Sequence, residues 1–246
     1  MHLSSTYHQQ KVSEFVPISK ELQCLSSPLT EPHEKDLGAV TSVFWDIEKC
    51  PVPHGCVPRR VGLCIKQFLE NKGYSGPLTI TAIGVLTDVP SEILREVYAS
   101  GIALNIIGST FSTTLDRLIC EFTVKNPPPA NIMVISDAKS FASDYASRLE
   151  LRGYNILQPV PSYSLEGFFQ EDSGVLEEDK CSETSESAFW ICSVCSDNIH
   201  GQGFENFTTH VTSCPHKRKL LDWLPSDARF LSRECGDQAK VNEVWR

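Results

Sequence analysis

Residues 42–47 are Ser-Val-Phe-Trp-Asp-Ile, a short run rich in β-branched and aromatic residues that predicts a buried strand with a carboxylate at its end. Residues 58–72 open with Pro and then repeat apolar side chains at helical spacing, so a helix follows. The same alternation recurs as 78–86 with 90–99, 102–107 with 113–125 and 131–136 with 138–152, before a short last strand at 154–157. Strands joined by such helices pair in parallel with right-handed crossovers, so the sequence predicts a three-layer α/β fold around a central parallel sheet.

Polar residues follow the first and fourth predicted strands, at the sheet edge where α/β proteins bind ligands. Asp46 and Glu48 follow the first strand, and Ser136 and Asp137 follow the fourth. With Asp116 on the third helix, Asp46 and Asp137 would bring three carboxylates to one edge, the arrangement that two-metal phosphodiester chemistry needs. The same residues also fit structural roles, because Asp116 suits an exposed helix face and Asp137 suits a helix N-cap.

Composition changes divide the chain into five segments. These are a polar, Ser-rich lead-in expected to be disordered (1–37), the α/β domain (38–161), an acidic linker (162–187), a small C-terminal unit (188–224) and a tail (225–246). The C-terminal unit is too short to build an apolar core, so we expect a metal ion to stabilise it. The linker and this unit are also the segments where we expect protein partners to bind.

The net charge of −9 is concentrated in one segment. Residues 165–187 carry eight acids and a single Lys, which leaves the remainder of the chain near −2. The overall charge therefore does not exclude a nucleic-acid partner. No apolar run approaches the roughly 18 residues of a membrane span, and no secretory signal is evident, so we expect an intracellular protein of the cytoplasm or nucleus without a membrane partner.

The C-terminal unit contains Cys and His residues at zinc-ligand spacing. The candidate ligands are Cys192, Cys195, His210 and His216. Fourteen residues separate the Cys pair from His210, and five separate His210 from His216. Cys214 competes for the fourth position, because it lies four residues after His210 on the same helical face, whereas His216 lies beyond Pro215, where the helix must end or distort. Spacing alone leaves that fourth ligand open.

Residues 209–219 resemble the matrin- and U1-type C2H2 fingers, whose helix ends in a widely spaced His pair followed by basic residues. The match lies in Thr209-His210-Val211 and in His216 with the basic run after it. The resemblance implies a structural Zn²⁺ with His216 as the fourth ligand. It also implies RNA contacts by the basic run, Lys217, Arg218 and Lys219, with a finger that only docks proteins as the alternative.

Residues from about 41 to 159 resemble the NYN domain, a PIN-like ribonuclease fold, in the branch of meiosis regulator and mRNA stability factor (limkain-type) proteins and plant homologues. The motifs are Phe-Trp-Asp-Ile-Glu (44–48), Cys-Pro-Val-Pro (50–53), Gly-Tyr-Ser-Gly-Pro (73–77), Ile-Thr-Ala-Ile-Gly (80–84), Asn-Pro-Pro-Pro-Ala-Asn-Ile (126–132) and Arg-Gly-Tyr-Asn-Ile-Leu (152–157). The resemblance implies an endoribonuclease dependent on Mg²⁺ or Mn²⁺. Asp46 and Asp116 match its catalytic acids.

The chain departs from this family at three positions of the site. Lys49 stands where relatives have Asn, and Ala138 and Ser140 stand where they have Asp. Losing two carboxylates and gaining an ammonium group weakens divalent-metal affinity, because hard cations depend on oxygen ligands and negative charge. The remaining candidates to complete the site are Asp137, shifted by one position, and Glu121.

We therefore expect an RNA-associated protein with an impaired catalytic site, acting in RNA binding or regulation of gene expression. Lys49 and Lys139 would then contact phosphate where a metal ion sits in active relatives. The alternatives are an active Mg²⁺-dependent endoribonuclease and a protein-interaction module that binds no RNA.

Overall fold

The structure is a computed structural model that describes residues 37–108, 111–136, 143–157, 165–170, 188–195 and 199–223. Almost all of the lead-in, the whole tail and most of the acidic linker lie outside these ranges. The predictions made for Asp137, Ala138, Lys139 and Ser140 also concern residues outside the described part of the chain.

The described strands form one seven-stranded sheet. They are β1 (Thr41–Asp46), β2 (Leu78–Gly84), β3 (Ala103–Ile106), β4 (Asn131–Ile135), β5 (Asn155–Leu157), β6 (Phe189–Cys192) and β7 (Ile199–Gln202). Their order across the sheet is β5-β4-β1-β2-β3-β6-β7. Every neighbouring pair is parallel except β6 with β7, which is antiparallel. The predicted α/β class with a mainly parallel central sheet is confirmed.

The first four helices alternate with the first five strands, as the sequence predicted. The helices are α1 (Val61–Asn71, after a 3-10 turn at Pro58–Arg60), α2 (Ser91–Ala99), α3 (Phe111–Lys125), α4 (Ser143–Leu151), α5 (Glu166–Gln170), α6 (Phe204–Thr212) and α7 (Cys214–Trp223). No helix within the described ranges has both the length and the apolar character needed to cross a bilayer.

The centre of the sheet is covered on both faces. All residues of β1, β3 and β4 are buried, which requires side chains on both sides of each strand to be packed. From β1 to β3 the chain adds strands on one side, and β4 then joins the other side of β1. This reversal is the topological switch point at which open α/β sheets bind ligands, and it lies between β1 and β4.

The C-terminal strands extend the same sheet. Trp190 and Cys192 of β6 pair in parallel with Leu104 and Ile106 of β3. The amide of Ser193 continues the ladder by donating to the Ile106 carbonyl at 2.8 Å. All described residues belong to one compact unit of the chain, so β6, which ends in the candidate ligand Cys192, is part of the sheet built by the larger domain.

Helix α2 binds the C-terminal strands and α6 from the side. The Tyr98 hydroxyl donates to the Ala188 carbonyl at 2.7 Å and accepts from the Gly203 amide at 2.8 Å, just before β6 and just after β7. On the surface beside it, Arg95 and Glu205 form an ion pair of 2.8 Å. These contacts join α2 to both ends of the β6–β7 hairpin.

Part of the acidic linker is packed against the domain. Leu165 and Phe168 are buried, and the Phe168 ring meets the Phe68 ring of α1 edge to face with centroids 4.8 Å apart. Helix α5 therefore covers α1 with apolar side chains, although its surrounding sequence is acidic.

Candidate functional site

Four side chains of the C-terminal part form a cluster with metal-ligand geometry. They are Cys192, Cys195, His210 and His216, and their ligand atoms all lie within 4.8 Å of one another. The Sγ atoms of Cys192 and Cys195 lie 3.4 Å and 3.5 Å from Nδ1 of His216, and Sγ of Cys195 lies 3.7 Å from Nε2 of His210. Sulfur and nitrogen ligands on a tetrahedral zinc ion are about 3.6 Å apart, as follows from its bond lengths. The cluster could hold a metal ion, and its donors suit zinc.

The ligands come from one strand, one turn and two helices. Cys192 ends β6, Cys195 lies in the turn after it, His210 lies in the last turn of α6, and His216 lies in the first turn of α7. Ser213 is extended, with ψ of 145°, and ends α6. Pro215 then occupies the first turn of α7, where no backbone N–H is needed. The break turns His216 into the cluster and leaves Cys214 exposed outside it, which decides between the two candidates for the fourth ligand.

Burial sets the protonation of these ligands. It lowers the pKa of His216 to about 4, with a further contribution from His210, so the imidazole is neutral and able to bind a metal at neutral pH. Burial also raises the pKa of the Cys192 thiol to about 12. A metal ion must therefore displace the Cys192 proton when it binds.

Two residues that sequence reasoning did not single out support the cluster. The Trp190 ring stacks on the His210 ring with centroids 5.0 Å apart, which fixes the imidazole from one side. Gly201 on β7 makes room for this indole, because a Cβ there would lie 2.1 Å from Cζ2 of Trp190. The requirement for Gly and Trp at these positions comes from packing across the hairpin, so ligand spacing could not reveal it.

Asp46 is the second candidate site residue, and it lies at the switch point. It ends β1, and its side chain is only 2% exposed. Oδ1 accepts the amides of Glu48 at 3.2 Å and Lys49 at 3.0 Å, and Oδ2 accepts the Ser136 hydroxyl at 2.9 Å. Burial raises the Asp46 pKa, and these hydrogen bonds, together with the Lys49 charge, lower it by less. Three hydrogen bonds from the protein thus fix the orientation of the Asp46 carboxylate.

An open cavity of about 350 Å³ lies beside Asp46, on the β2 side of the same edge. Its walls include Glu48, Lys49 and Asp88. Oε1 of Glu48 accepts the Val85 amide at 3.0 Å, across the end of β2. Gly84 permits this crossing, because a Cβ there would lie 3.1 Å from Cγ of Glu48. The ends of β1 and β2 are therefore linked by an acidic side chain.

Within the described part of the chain, neither Asp116 nor Glu121 forms a three-carboxylate group with Asp46. Asp116 is exposed on α3, and its charge adds to burial in raising the pKa of Tyr145 on α4. Glu121 forms an ion pair with Arg117 on the same helix. Among the described residues, the Cys/His cluster is the only group of three or more acidic, His or Cys side chains close enough to share a metal ion. Asp137 lies outside those residues.

The predicted cations lie at two places. Lys49 is exposed at the sheet edge beside Asp46, and Lys217, Arg218 and Lys219 are exposed on α7. Lys139 falls in the undescribed segment after β4.

A comparison of the chain with known protein-family profiles finds no match, and a search of curated protein sequences also finds none. The NYN and finger resemblances therefore rest on the motifs quoted above.

Proposed function

We propose that this chain is an RNA-associated protein, related to metal-dependent endoribonucleases, whose catalytic site is impaired and which acts in RNA binding or regulation of gene expression in the cytoplasm or nucleus. The observation that carries the proposal is the environment of Asp46. A buried carboxylate at the end of β1, at the switch point where open α/β sheets bind ligands, supports the relation to nucleases.

The same environment argues against efficient catalysis. A carboxylate offers about four lone-pair sites, and three hydrogen bonds from the chain already bind Asp46. The Lys49 ammonium group adds positive charge beside it. A divalent cation would have to compete with these groups, and no set of three described carboxylates is available to help hold it.

RNA association is supported by exposed cations on both parts of the molecule. Lys49 stands at the sheet edge, and α7 carries three consecutive cations. Such residues bind phosphates through electrostatic attraction and counterion release. Because β6 pairs with β3, the element bearing the basic run is attached to the sheet that carries Asp46.

The metal at the Cys/His cluster, in this proposal, is a structural zinc ion. Four protein donors would complete its tetrahedron and leave no open position for substrate. Its role would be to join the β6–β7 hairpin to α6 and α7, in addition to the pairing of β6 with β3.

Restoring the family residues tests the proposed impairment. The variant with Lys49→Asn, Ala138→Asp and Ser140→Asp should gain Mg²⁺- or Mn²⁺-dependent cleavage of single-stranded RNA, because it adds two oxygen ligands and removes an ammonium group. Adding Asp46→Asn to this variant should abolish the gained activity while preserving the shape of the site. RNA that stays uncleaved by the triple variant, although the protein folds and binds RNA, would contradict descent from an active site of this kind.

A further inference from the structure

Trp223, at the end of α7, is an exposed aromatic residue that packs against the backbone of Gly108. Its side chain is 47% exposed, whereas Trp45 and Trp190 are buried. A Cβ added to Gly108 would lie 2.5 Å from Cδ1 of Trp223, so one face of the indole lies directly against the glycine. The glycine thus supports the ring from one side while nearly half of it remains open to solvent.

The contact between Trp223 and Gly108 lies at the sheet edge that carries Asp46. Gly108 follows β3 by two residues, at the carboxyl end of the strand. In register, Asp46 pairs with Ile83 on β2, and Ile83 pairs with Asn105 on β3. Strands β1 and β3 are therefore separated by two strand spacings, about 10 Å across the sheet. A polymer bound at Trp223 could continue toward the cavity at the ends of β1 and β2.

The charge around Trp223 favours a polyanion. Lys219 and Trp223 are four residues apart on α7, so they share one face of the helix. Helix α7 also exposes Lys217 and Arg218, and Asp222 is its single acidic residue. The inward face of the same helix is occupied by the buried His216 and Leu220. Trp223 lies seven residues after His216, at the edge of this inward face, and the exposed Lys219 lies next to it toward solvent. A partly exposed aromatic ring beside a cation is typical of single-stranded nucleic-acid binding, in which a base stacks on the ring and a phosphate meets the cation.

We propose that Lys219 and Trp223 form a binding site for single-stranded RNA, with one base stacked on the indole and the adjoining phosphate bound by the ammonium group. This inference rests on the proposed RNA association and adds the site and the strandedness of the ligand. The Gly108 contact holds the indole in place before RNA binds, which reduces the entropy that stacking would otherwise lose.

Binding of a short fluorescein-labelled oligouridine to the full chain tests the site. Trp223→Ala should weaken binding about tenfold, within the range measured for base-stacking aromatics. Lys219→Gln should weaken it by a smaller factor and lower the salt dependence by about one counterion. The matched controls are Phe189→Ala, an aromatic residue with similar exposure on β6, and Lys66→Gln, an exposed lysine on α1. Both controls should bind like the unmodified chain.

A cross-linking measurement on the unmodified chain tests the same site without relying on variants that must fold correctly. Oligouridine containing 4-thiouridine should cross-link on irradiation to the peptide that contains Trp223, as mapped by mass spectrometry. Cross-links confined to other peptides, or equal affinity of both test variants and the unmodified chain, would overturn this inference while leaving RNA association intact. Absence of any RNA binding by the unmodified chain would overturn the proposed function as well.

Discussion

The surroundings of Asp46 determine its pKa and its contribution to the stability of the fold. Burial raises its pKa above the ordinary value, and hydrogen bonds from the Lys49 amide, the Ser136 hydroxyl and the Glu48 amide oppose this only in part. An acid whose pKa is raised on folding stabilises the fold most below its unfolded pKa, and this stabilisation is lost as pH rises through the folded pKa. Relative to the unfolded chain, the fold therefore favours the protonated form of Asp46 over the charged form.

Asp46→Asn should consequently raise the free energy of unfolding at neutral pH, by the roughly 0.5–2 kcal/mol common for single stabilising substitutions. The amide oxygen can accept both backbone N–H groups, and the amide nitrogen can donate to Ser136. The difference between variant and unmodified chain should shrink below about pH 4, where the unfolded carboxyl group is also protonated. Urea unfolding at both pH values measures it, with Asp116→Asn as the exposed control. A less stable Asp46→Asn protein at neutral pH would contradict this account.

His216, and not Cys214, completes the Cys/His cluster that could hold a metal ion. It is buried with its Nδ1 facing both Cys sulfurs, whereas Cys214 is exposed. We expect the unmodified chain and Cys214→Ala to retain about one zinc ion after gel filtration, and His216→Ala to lose most of it. Mass-spectrometric metal analysis decides between these outcomes. Loss of zinc from Cys214→Ala with retention in His216→Ala would reassign the fourth ligand.

The elements of the α/β domain could be predicted because their signals are local. Strands such as β1 and helices such as α1 show apolar spacing within their own residues, and parallel pairing follows from the alternation. The pairing of β6 with β3 could not be predicted in this way. It joins four-residue strands more than 80 residues apart in sequence, and no local pattern in either strand identifies its partner. Pro215 predicts that the helix ends or distorts at that residue, but the break lies two residues earlier at Ser213, and Pro215 occupies the first turn of the renewed helix.

The ligands of the Cys/His cluster could be predicted from the sequence, but the residues that support them could not. Ligand types and spacing pointed to the Cys/His cluster, and the finger resemblance favoured His216. The supporting contacts of Trp190, Gly201 and Tyr98 were missed, because each depends on a close approach between elements distant in sequence. Convergence of three acids at the sheet edge stays a prediction, since Asp137 lies outside the described residues.

The shared sheet predicts that β3 responds to removal of the proposed zinc ion. Ile106 directs its carbonyl to β6, and in a parallel ladder its amide points the same way, as does that of Leu104. Removal of zinc with a chelator should therefore raise amide exchange at Leu104 and Ile106 by at least about tenfold, which equals roughly 1.4 kcal/mol in opening free energy. The amide of Ile132 in β4 is the control and should change little. Increased exchange confined to residues 188–223 would show that the C-terminal part opens without affecting β3.

At the scale of the whole molecule, the sheet unites two features that the sequence presents as separate segments. The buried carboxylate of Asp46 and the basic helix α7 are linked through β1, β2, β3 and β6. Tyr98 and Arg95 reinforce this connection from α2. In the proposed function, RNA held on α7 would therefore be positioned with respect to the carboxyl edge, whether or not that edge supports cleavage.

The most direct test of this account follows one labelled single-stranded RNA, incubated with the zinc-loaded, unmodified chain and Mg²⁺ or Mn²⁺, for both binding and cleavage. We predict binding that weakens as salt rises, with the RNA remaining intact. Metal-dependent cleavage by the unmodified chain that is lost in Asp46→Asn would contradict the impaired site and show an active endoribonuclease. Absence of binding at low salt would contradict RNA association itself.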